Sequence, residues 1–206
     1  MNEKFLNLEK EKQIKIINAG LECFGKYGYK KANTEDIAKI ANISKGTLFY
    51  YFVNKKELYL FLYRFCVKIM IKFIDLDEIK EIDDFFELLN YGTGKKIELI
   101  EKYPFILNFI IKAMFSQKEI ISEEINKEIV KTISTCFDVF FQYIDKNKFK
   151  PGYDPEKIGY MLFWMGEGYL LEKTRFGEFL DINQMINEFN IWVDMFKKMS
   201  YKEEYL

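Results

Sequence analysis

Apolar residues recur at helical spacing along most of the chain, and this pattern predicts an all-α protein. The first helix is expected over about residues 8–27 and to end at Gly25 and Gly28, because glycine is common where a helix ends. Its apolar stripe consists of Ile14, Ile17, Leu21 and Phe24.

Two short helices separated by a tight turn are predicted next. Asn33 is a good N-cap and predicts a helix over about residues 34–41. Asn42 tolerates the left-handed backbone conformation that such a turn often needs. Ser44 is a second N-cap and predicts a helix over residues 45–51.

Longer helices make up the rest of the chain. Asn54 caps one that begins at Lys55 and extends to about residue 74. The periodicity predicts five more, over about residues 82–101, 104–116, 119–146, 155–174 and 182–199. We therefore expect an N-terminal three-helix domain over residues 1–53 and a larger helical body over residues 54–206.

The composition excludes several classes of chemistry. None of the 206 residues is histidine, so Ser-His-Asp catalysis and histidine-ligated metals are ruled out. The three cysteines, an odd number without metal-ligand spacing, favour a reducing cytoplasm and are expected to pack as small hydrophobes. We expect no catalytic residue, no cofactor and no metal site.

Membrane association is not expected either. The longest apolar stretch, residues 160–171, is too short to cross a bilayer, and the charged N-terminus has no signal-peptide core. A buried helix accounts for that stretch, and we expect a cytoplasmic protein.

Charge is unevenly distributed between the two parts of the chain. Residues 1–56 contain 11 lysines and 6 acidic residues, whereas residues 57–206 contain 20 basic and 26 acidic residues. A basic N-terminal part suggests contact with a polyanion, although the excess of five charges is small.

The two short helices and their turn have the layout of a DNA-binding helix-turn-helix. The first helix would support them through Ile17, Leu21 and Phe24. The residues expected to pack on it are Ile37, Ile40, Ile43 and Leu48. An ordinary helical hairpin with aromatic packing and a solvated lysine face would show the same spacing and charge.

The second short helix offers side chains that suit a DNA duplex. Lys45 can meet a phosphate or a guanine edge, and Thr47 can touch a thymine methyl group. Gly46 lets the backbone approach closely, while the hydroxyls of Tyr50 and Tyr51 can reach phosphate oxygens. Further candidates on the same surface are Thr34, Ser44, Phe49, Lys55 and Lys56.

The run from Ile37 to Phe52, followed by residues 54–58, resembles the N-terminal signature of the TetR family. Ala19, Phe24 and Gly28 fall where that family has its first helix and glycine turn. Two departures are Asn42, where the family usually has glycine, and Tyr51, where histidine is common.

This resemblance implies a homodimeric repressor that binds a palindromic operator and releases it when a small molecule enters the helical body. It places the DNA contacts on Thr34, Ser44, Lys45, Gly46, Thr47, Phe49, Tyr50, Tyr51 and Lys55 or Lys56. It also places the dimer interface on the last two long helices. Glycines inside the first of these, at residues 159, 166 and 168, favour close backbone approach.

Aromatic residues make up 18% of the chain and could line a pocket for a small apolar or cationic effector. The candidates are Phe109, Met114, Phe137, Phe140, Phe163, Trp164 and Glu167. Most such apolar stripes are ordinary core, and Glu167 could instead pair within an interface or face water. The main alternative function is a DNA-binding adaptor whose body recruits a protein partner and senses no small molecule.

Overall fold

The computed structural model describes residues 3–73, 75–115, 141–175 and 181–206. We number the α-helices of these segments in chain order. They are α1 (Glu3–Leu6), α2 (Lys10–Lys31), α3 (Thr34–Ile40), α4 (Lys45–Phe52), α5 (Lys55–Phe73), α6 (Leu76–Lys80), α7 (Phe85–Lys102), α8 (Ile106–Phe115), α9 (Pro155–Arg175) and α10 (Ile182–Ser200). The all-α prediction is confirmed.

The predicted caps form as the local sequence requires. The Asn33 side-chain oxygen accepts a hydrogen bond from the Glu35 amide at 2.9 Å, at the start of α3. Asn42, with φ 55°, adopts the left-handed conformation in the turn between α3 and α4. Gly28, with φ 71°, interrupts α2 rather than ending it, and a last turn extends the helix to Lys31.

Other predicted bounds change in the structure. The short helices α1 and α6 were not predicted, and α7 begins at Phe85 rather than at residue 82. The predicted helix over residues 119–146 lies largely outside the described residues, and within them residues 142–145 are not helical. The side chains of Met114, Phe137 and Phe140 also lie outside the described part of the chain.

The first compact unit comprises residues 3–73 together with residues 97–115 of the described chain. Its core includes the fully buried residues Leu21, Phe24, Ile37, Leu48, Leu58, Leu62 and Phe109. Helix α8 approaches α2 closely at Gly25, where an added Cβ would lie 3.0 Å from the Phe109 amide nitrogen. Gly25 therefore lies inside α2 rather than at its end, and the missing side chain allows the two helices to pack closely.

The second compact unit comprises residues 75–96, 141–175 and 181–206 of the described chain. Its core is aromatic and includes Phe85, Phe86, Phe149 and Tyr201. An isolated antiparallel bridge joins Phe149 to Tyr201 and brings the end of the chain onto this core. The first compact unit thus contains α5 and α8 as well as the first four helices. The predicted boundary between a DNA-binding domain and a helical body at residue 53 is a functional division and stays a prediction.

Two cysteines lie in apolar surroundings, as their helical positions predicted. Cys23 and Cys66 are both buried and unbonded. Burial raises the pKa of the Cys23 thiol to about 11 and also raises the pKa of the Cys66 thiol. Both therefore stay protonated near neutral pH and behave as packing residues. Cys136 lies outside the described residues.

Candidate DNA-binding surface

Buried side chains fix the two helices of the helix-turn-helix. Ile37 and Ala38 of α3 and Leu48 and Phe52 of α4 are at most 4% exposed, and all four belong to the core of the first unit. The Ile43 amide donates to the Ala38 carbonyl at 2.9 Å and closes the turn. The opposite face of α4 is thereby directed away from the core.

Ile40 is an exception to the predicted packing, because its side chain is 48% exposed. The buried positions of α3 are Thr34, Ile37 and Ala38, and the C-cap residue Ala41 is buried as well. Ile40 lies off this face, so it is not one of the buried core residues.

Ser44 holds the start of α4 in place. Its Oγ accepts a hydrogen bond from the Thr47 amide at 3.0 Å and lies 2.8 Å from the Thr47 hydroxyl. The predicted cap is confirmed. Both hydroxyls are oriented by each other at the end of the helix where backbone N–H groups favour an anion.

Lys45 carries a cation at the first position of α4. Its ammonium group is 2.7 Å from the Glu35 carboxylate, and both side chains are largely exposed. This bond lowers the pKa of Glu35, which therefore stays charged near neutral pH. An exposed pair of this kind is weak and screened by salt, so a phosphate can compete for Lys45.

Gly46 offers open backbone on the same face. An added Cβ would find only the Ser44 Oγ nearby, at 3.7 Å, which is ordinary contact. The protein's own packing therefore does not require glycine at this position.

Three aromatic residues continue along α4. Tyr50 is 57% exposed, and the Lys4 ammonium lies 4.1 Å from the centre of its ring. Tyr51 is half-buried, with its ring 6.0 Å from that of Phe5, and Phe49 is also half-buried. Tyr50 is therefore the most accessible of the three to a partner.

The remaining predicted contacts lie at the margins of this surface. Thr34 is only 8% exposed, because it shares the inward face of α3 with Ile37 and Ala38. Lys55 donates to the Lys30 carbonyl at 3.3 Å and its ammonium lies 5.1 Å from the centre of the Tyr29 ring. Lys56 is half-buried at the start of α5.

Two residues near this surface were not predicted. Glu35 pairs with Lys45, and Lys4 stacks on Tyr50, although neither pair is close in sequence. No local sequence pattern predicts either contact. The first depends on how α3 packs on α4, and the second depends on how α1 packs on α4.

The predicted pocket residues that the structure describes are divided between the two compact units. Phe109 is fully buried in the first unit, with its ring 5.0 Å from Tyr59 and 6.3 Å from Phe24. In the second unit Trp164 is 60% exposed, while Phe163 and Glu167 are half-buried. Burial raises the pKa of the Glu167 carboxyl.

A groove in the second unit has a volume of about 580 Å³. Its walls are Phe141, Gln142, Ile144, Asp145, Lys146, Asn147, Glu156 and Tyr160. These residues are mostly polar and include none of the predicted pocket residues. In the segments described, no helix combines the length and apolar character needed to cross a bilayer.

Sequence comparison relates the chain to transcription regulators. Residues 16–61 match the family described as bacterial regulatory proteins, tetR family. The HTH-type transcriptional regulator RutR of Escherichia coli K12 is 23% identical over 163 residues, covering 77% of this chain and 73% of that protein. The negative transcriptional regulator IcaR of the biofilm operon icaADBC in Staphylococcus epidermidis is 27% identical over 135 residues, covering 64% and 68%.

Structural comparison gives the same fold. The regulator FadR from Bacillus subtilis, solved in complex with stearoyl-CoA, has a TM-score of 0.63 and 20% identity, covering 88% of this chain and 96% of that one. The capped helix-turn-helix, together with the match to a family of regulatory proteins and to the regulators RutR and IcaR, indicates a DNA-binding transcription regulator. The match over residues 16–61 to the tetR family of bacterial regulatory proteins agrees with the resemblance that the residues between Ile37 and Leu58 predicted.

Proposed function

We propose that this regulator is a homodimeric repressor whose helix α4 enters the major groove of a palindromic operator. The observation that carries the proposal is the exposed face of α4, where Lys45, Gly46 and Tyr50 lie on a helix anchored by Leu48 and Phe52. A rigid, capped helix can present a few side chains to base edges and phosphates in a fixed register.

The contacts at this surface divide into two kinds. Lys45 and Thr47 at the start of α4 reach base edges, because the first residues of a recognition helix lie deepest in the groove. Ser44, Tyr50 and the more peripheral Tyr51 meet the phosphate backbone. The relative IcaR is a negative transcriptional regulator, which supports repression as the outcome of binding.

The proposed dimer interface lies on α9 and α10. Large apolar side chains on these helices are exposed: Met161, Trp164, Met165, Leu171, Ile191, Met195 and Met199. Among the described residues, nothing outside the helix's own neighbouring backbone lies within 4 Å of a Cβ added at Gly166 or Gly168 of α9. Contiguous apolar surface of this kind marks an interaction site, and open glycines allow a second helix to approach closely.

The proposed trigger for release is a small apolar or cationic effector bound in the helical body. The stearoyl-CoA complex of FadR supports an acyl chain as the apolar part of such a ligand. The net negative charge of residues 57–206 weakly disfavours the anionic head group of stearoyl-CoA. An amphiphilic cation is therefore the second effector to test.

Selection of bound fragments from random DNA tests the proposal. We expect a two-fold palindrome with half-sites roughly one helical turn, about 34–36 Å, or a multiple of it apart. Lys45→Ala and Tyr50→Ala should each weaken binding to that sequence while leaving the protein folded and dimeric. Unchanged affinity in both variants would contradict the assignment of the reading face.

Effector release is tested on the same operator complex. Stearoyl-CoA and an amphiphilic cation such as hexadecyltrimethylammonium, both below micellar concentration, are titrated in parallel. Release by either one, with a saturable dose dependence, supports a ligand-responsive repressor. Release by neither, with a sequence-specific operator already in hand, favours the adaptor that recruits a protein partner.

A further inference from the structure

Helix α1 is packed directly on the recognition helix. Phe5 is 1% exposed, and its ring centre lies 4.8 Å from that of Phe52, 5.0 Å from Phe61 and 6.0 Å from Tyr51. One aromatic side chain thus joins the N-terminal segment to both α4 and α5.

A second contact fixes the chain after α1. The side-chain amide nitrogen (Nε2) of Gln13 donates to the Leu6 carbonyl at 2.9 Å and to the Leu8 carbonyl at 2.7 Å. Gln13 is 8% exposed, so these bonds are shielded from water. Residues 3–8 therefore have a defined position on the first unit, although a four-residue helix alone has little stability.

This placement brings a cation to the edge of the reading face. Lys4 immediately precedes the anchoring residue Phe5, and its ammonium lies 4.1 Å from the centre of the exposed Tyr50 ring. A phosphate bound by the Tyr50 hydroxyl would lie within the range over which an exposed charge acts at physiological salt, about 8 Å. Residues 3–8 also precede the segment that matches the family, which begins at residue 16.

We propose that α1 belongs to the DNA-binding surface, with Lys4 as a phosphate contact beside Tyr50 and Phe5 as the residue that positions it. This inference rests on the proposed function, because it assumes that Tyr50 faces the DNA backbone. Lys4 contributes affinity and register, while base recognition stays with the start of α4.

The test is a salt titration of operator binding by the full-length protein and its Lys4→Gln variant. Each phosphate neutralised contributes about 0.9 to the slope of log affinity against log salt concentration. We expect Lys4→Gln to reduce the slope by about 0.9 per protomer. It should also lower operator affinity about two- to fivefold per protomer. Discrimination between operator and scrambled DNA should not change.

Lys102→Gln is the matched control, because Lys102 also lies over a tyrosine ring, 5.9 Å from the centre of Tyr103, on the different helix α7. Its slope should stay close to that of the parent protein. An unchanged slope for Lys4→Gln, or an equal loss in both variants, would overturn the proposal.

The anchor is tested with two changes at Phe5. Phe5→Ala should lower the salt slope as Lys4→Gln does, whereas Phe5→Leu, which keeps an apolar anchor, should retain most of it. If Phe5→Ala does not fold, the salt slopes of Phe5→Leu and Lys4→Gln are compared instead. A Phe5→Leu slope as low as that of Lys4→Gln would contradict the positioning role of Phe5. Failure of the proposed function is a separate result, because the parent protein would then select no DNA sequence.

Discussion

Replacing Gly46 should affect DNA binding but not folding. An added methyl group meets only ordinary contact with Ser44 in the free protein. Alanine also favours a helix over glycine by about 1 kcal/mol, so Gly46→Ala should leave the fold intact or slightly more stable. Operator affinity should fall at least tenfold, because the methyl group would stand between the backbone of α4 and the DNA.

Thermal unfolding and fluorescence anisotropy with labelled operator check both halves of this prediction. Gly94→Ala on α7 is the control, since Gly94 is also exposed and a Cβ added there meets no other side chain in the described part of the chain. It should gain similar stability without losing DNA affinity. Full operator affinity in Gly46→Ala would show that the backbone at residue 46 does not approach DNA closely.

Asn42 allows a prediction about the turn between α3 and α4. Its φ of 55° is tolerated by asparagine and glycine but costs other residues about 1–2 kcal/mol. Asn42→Ala should therefore lower the free energy of unfolding by about 1 kcal/mol, whereas Asn42→Gly should stay close to the parent. Urea denaturation measures both values.

A helical asparagine provides the contrast for this measurement. Asn90 is exposed within α7, where alanine is the better helix former, so Asn90→Ala should be neutral or stabilising. Equal stability of Asn42→Ala and the parent would mean that the left-handed conformation is not required in the turn.

At the scale of the element, the junction between α4 and α5 stores strain. Val53 has φ 61° and ψ −53°, and the Asn54 amide donates to the Phe52 carbonyl at 2.6 Å, which forms a γ-turn. A β-branched residue is poorly suited to positive φ. Val53 is 73% exposed, so its side chain contributes little packing in return.

Val53→Gly should consequently raise the free energy of unfolding by about 1 kcal/mol, since strain of this kind costs about 1–3 kcal/mol and glycine loses part of the gain to unfolded-state entropy. The same change at Val67, a half-buried residue inside α5, should be destabilising because it removes apolar contacts and weakens the helix. Chemical denaturation of both variants gives the comparison. A loss of stability in Val53→Gly would contradict the strained junction.

Elements with a strong local signal were predictable from the sequence. The bounds of α3 and α4 were predicted to within one residue, because the side chains of Asn33 and Ser44 form the caps that their positions indicate. Helices α1 and α6 have only four and five residues, too few for a periodic pattern to be seen. Their existence depends on burial of Phe5 and Ile79 in tertiary contacts.

The candidate site divides in the same way. The exposure of Lys45 and Tyr50 follows from helical periodicity around Leu48 and was predicted. The burial of Thr34 follows from the same periodicity, because Thr34 lies three and four residues before Ile37 and Ala38, but it was not predicted. The contact between Lys4 and Tyr50 depends instead on how α1 and α4 pack together. Such non-local contacts leave no periodic trace, and only the folded arrangement reveals them.

At the scale of the whole molecule, the proposed dimer can be tested by changing one glycine of α9. Gly168 is exposed, and an added Cβ would have open space among the described residues. Gly168→Leu should therefore fold at least as well as the parent, because leucine is the better helix former. If a partner helix packs there, the larger side chain should cost about 1–3 kcal/mol of association, roughly a ten- to hundredfold weaker dimer.

Sedimentation velocity over a range of protein concentrations measures this weakening, and Gly94→Leu supplies a control with the same chemical change on α7. Gly168→Leu should also lose operator affinity, because two reading helices joined by one interface bind a palindrome more tightly than one. A Gly168→Leu protein with the parent's dimer affinity would exclude close packing at α9. A monomeric parent that still bound a palindrome would instead require DNA to bring the two copies together.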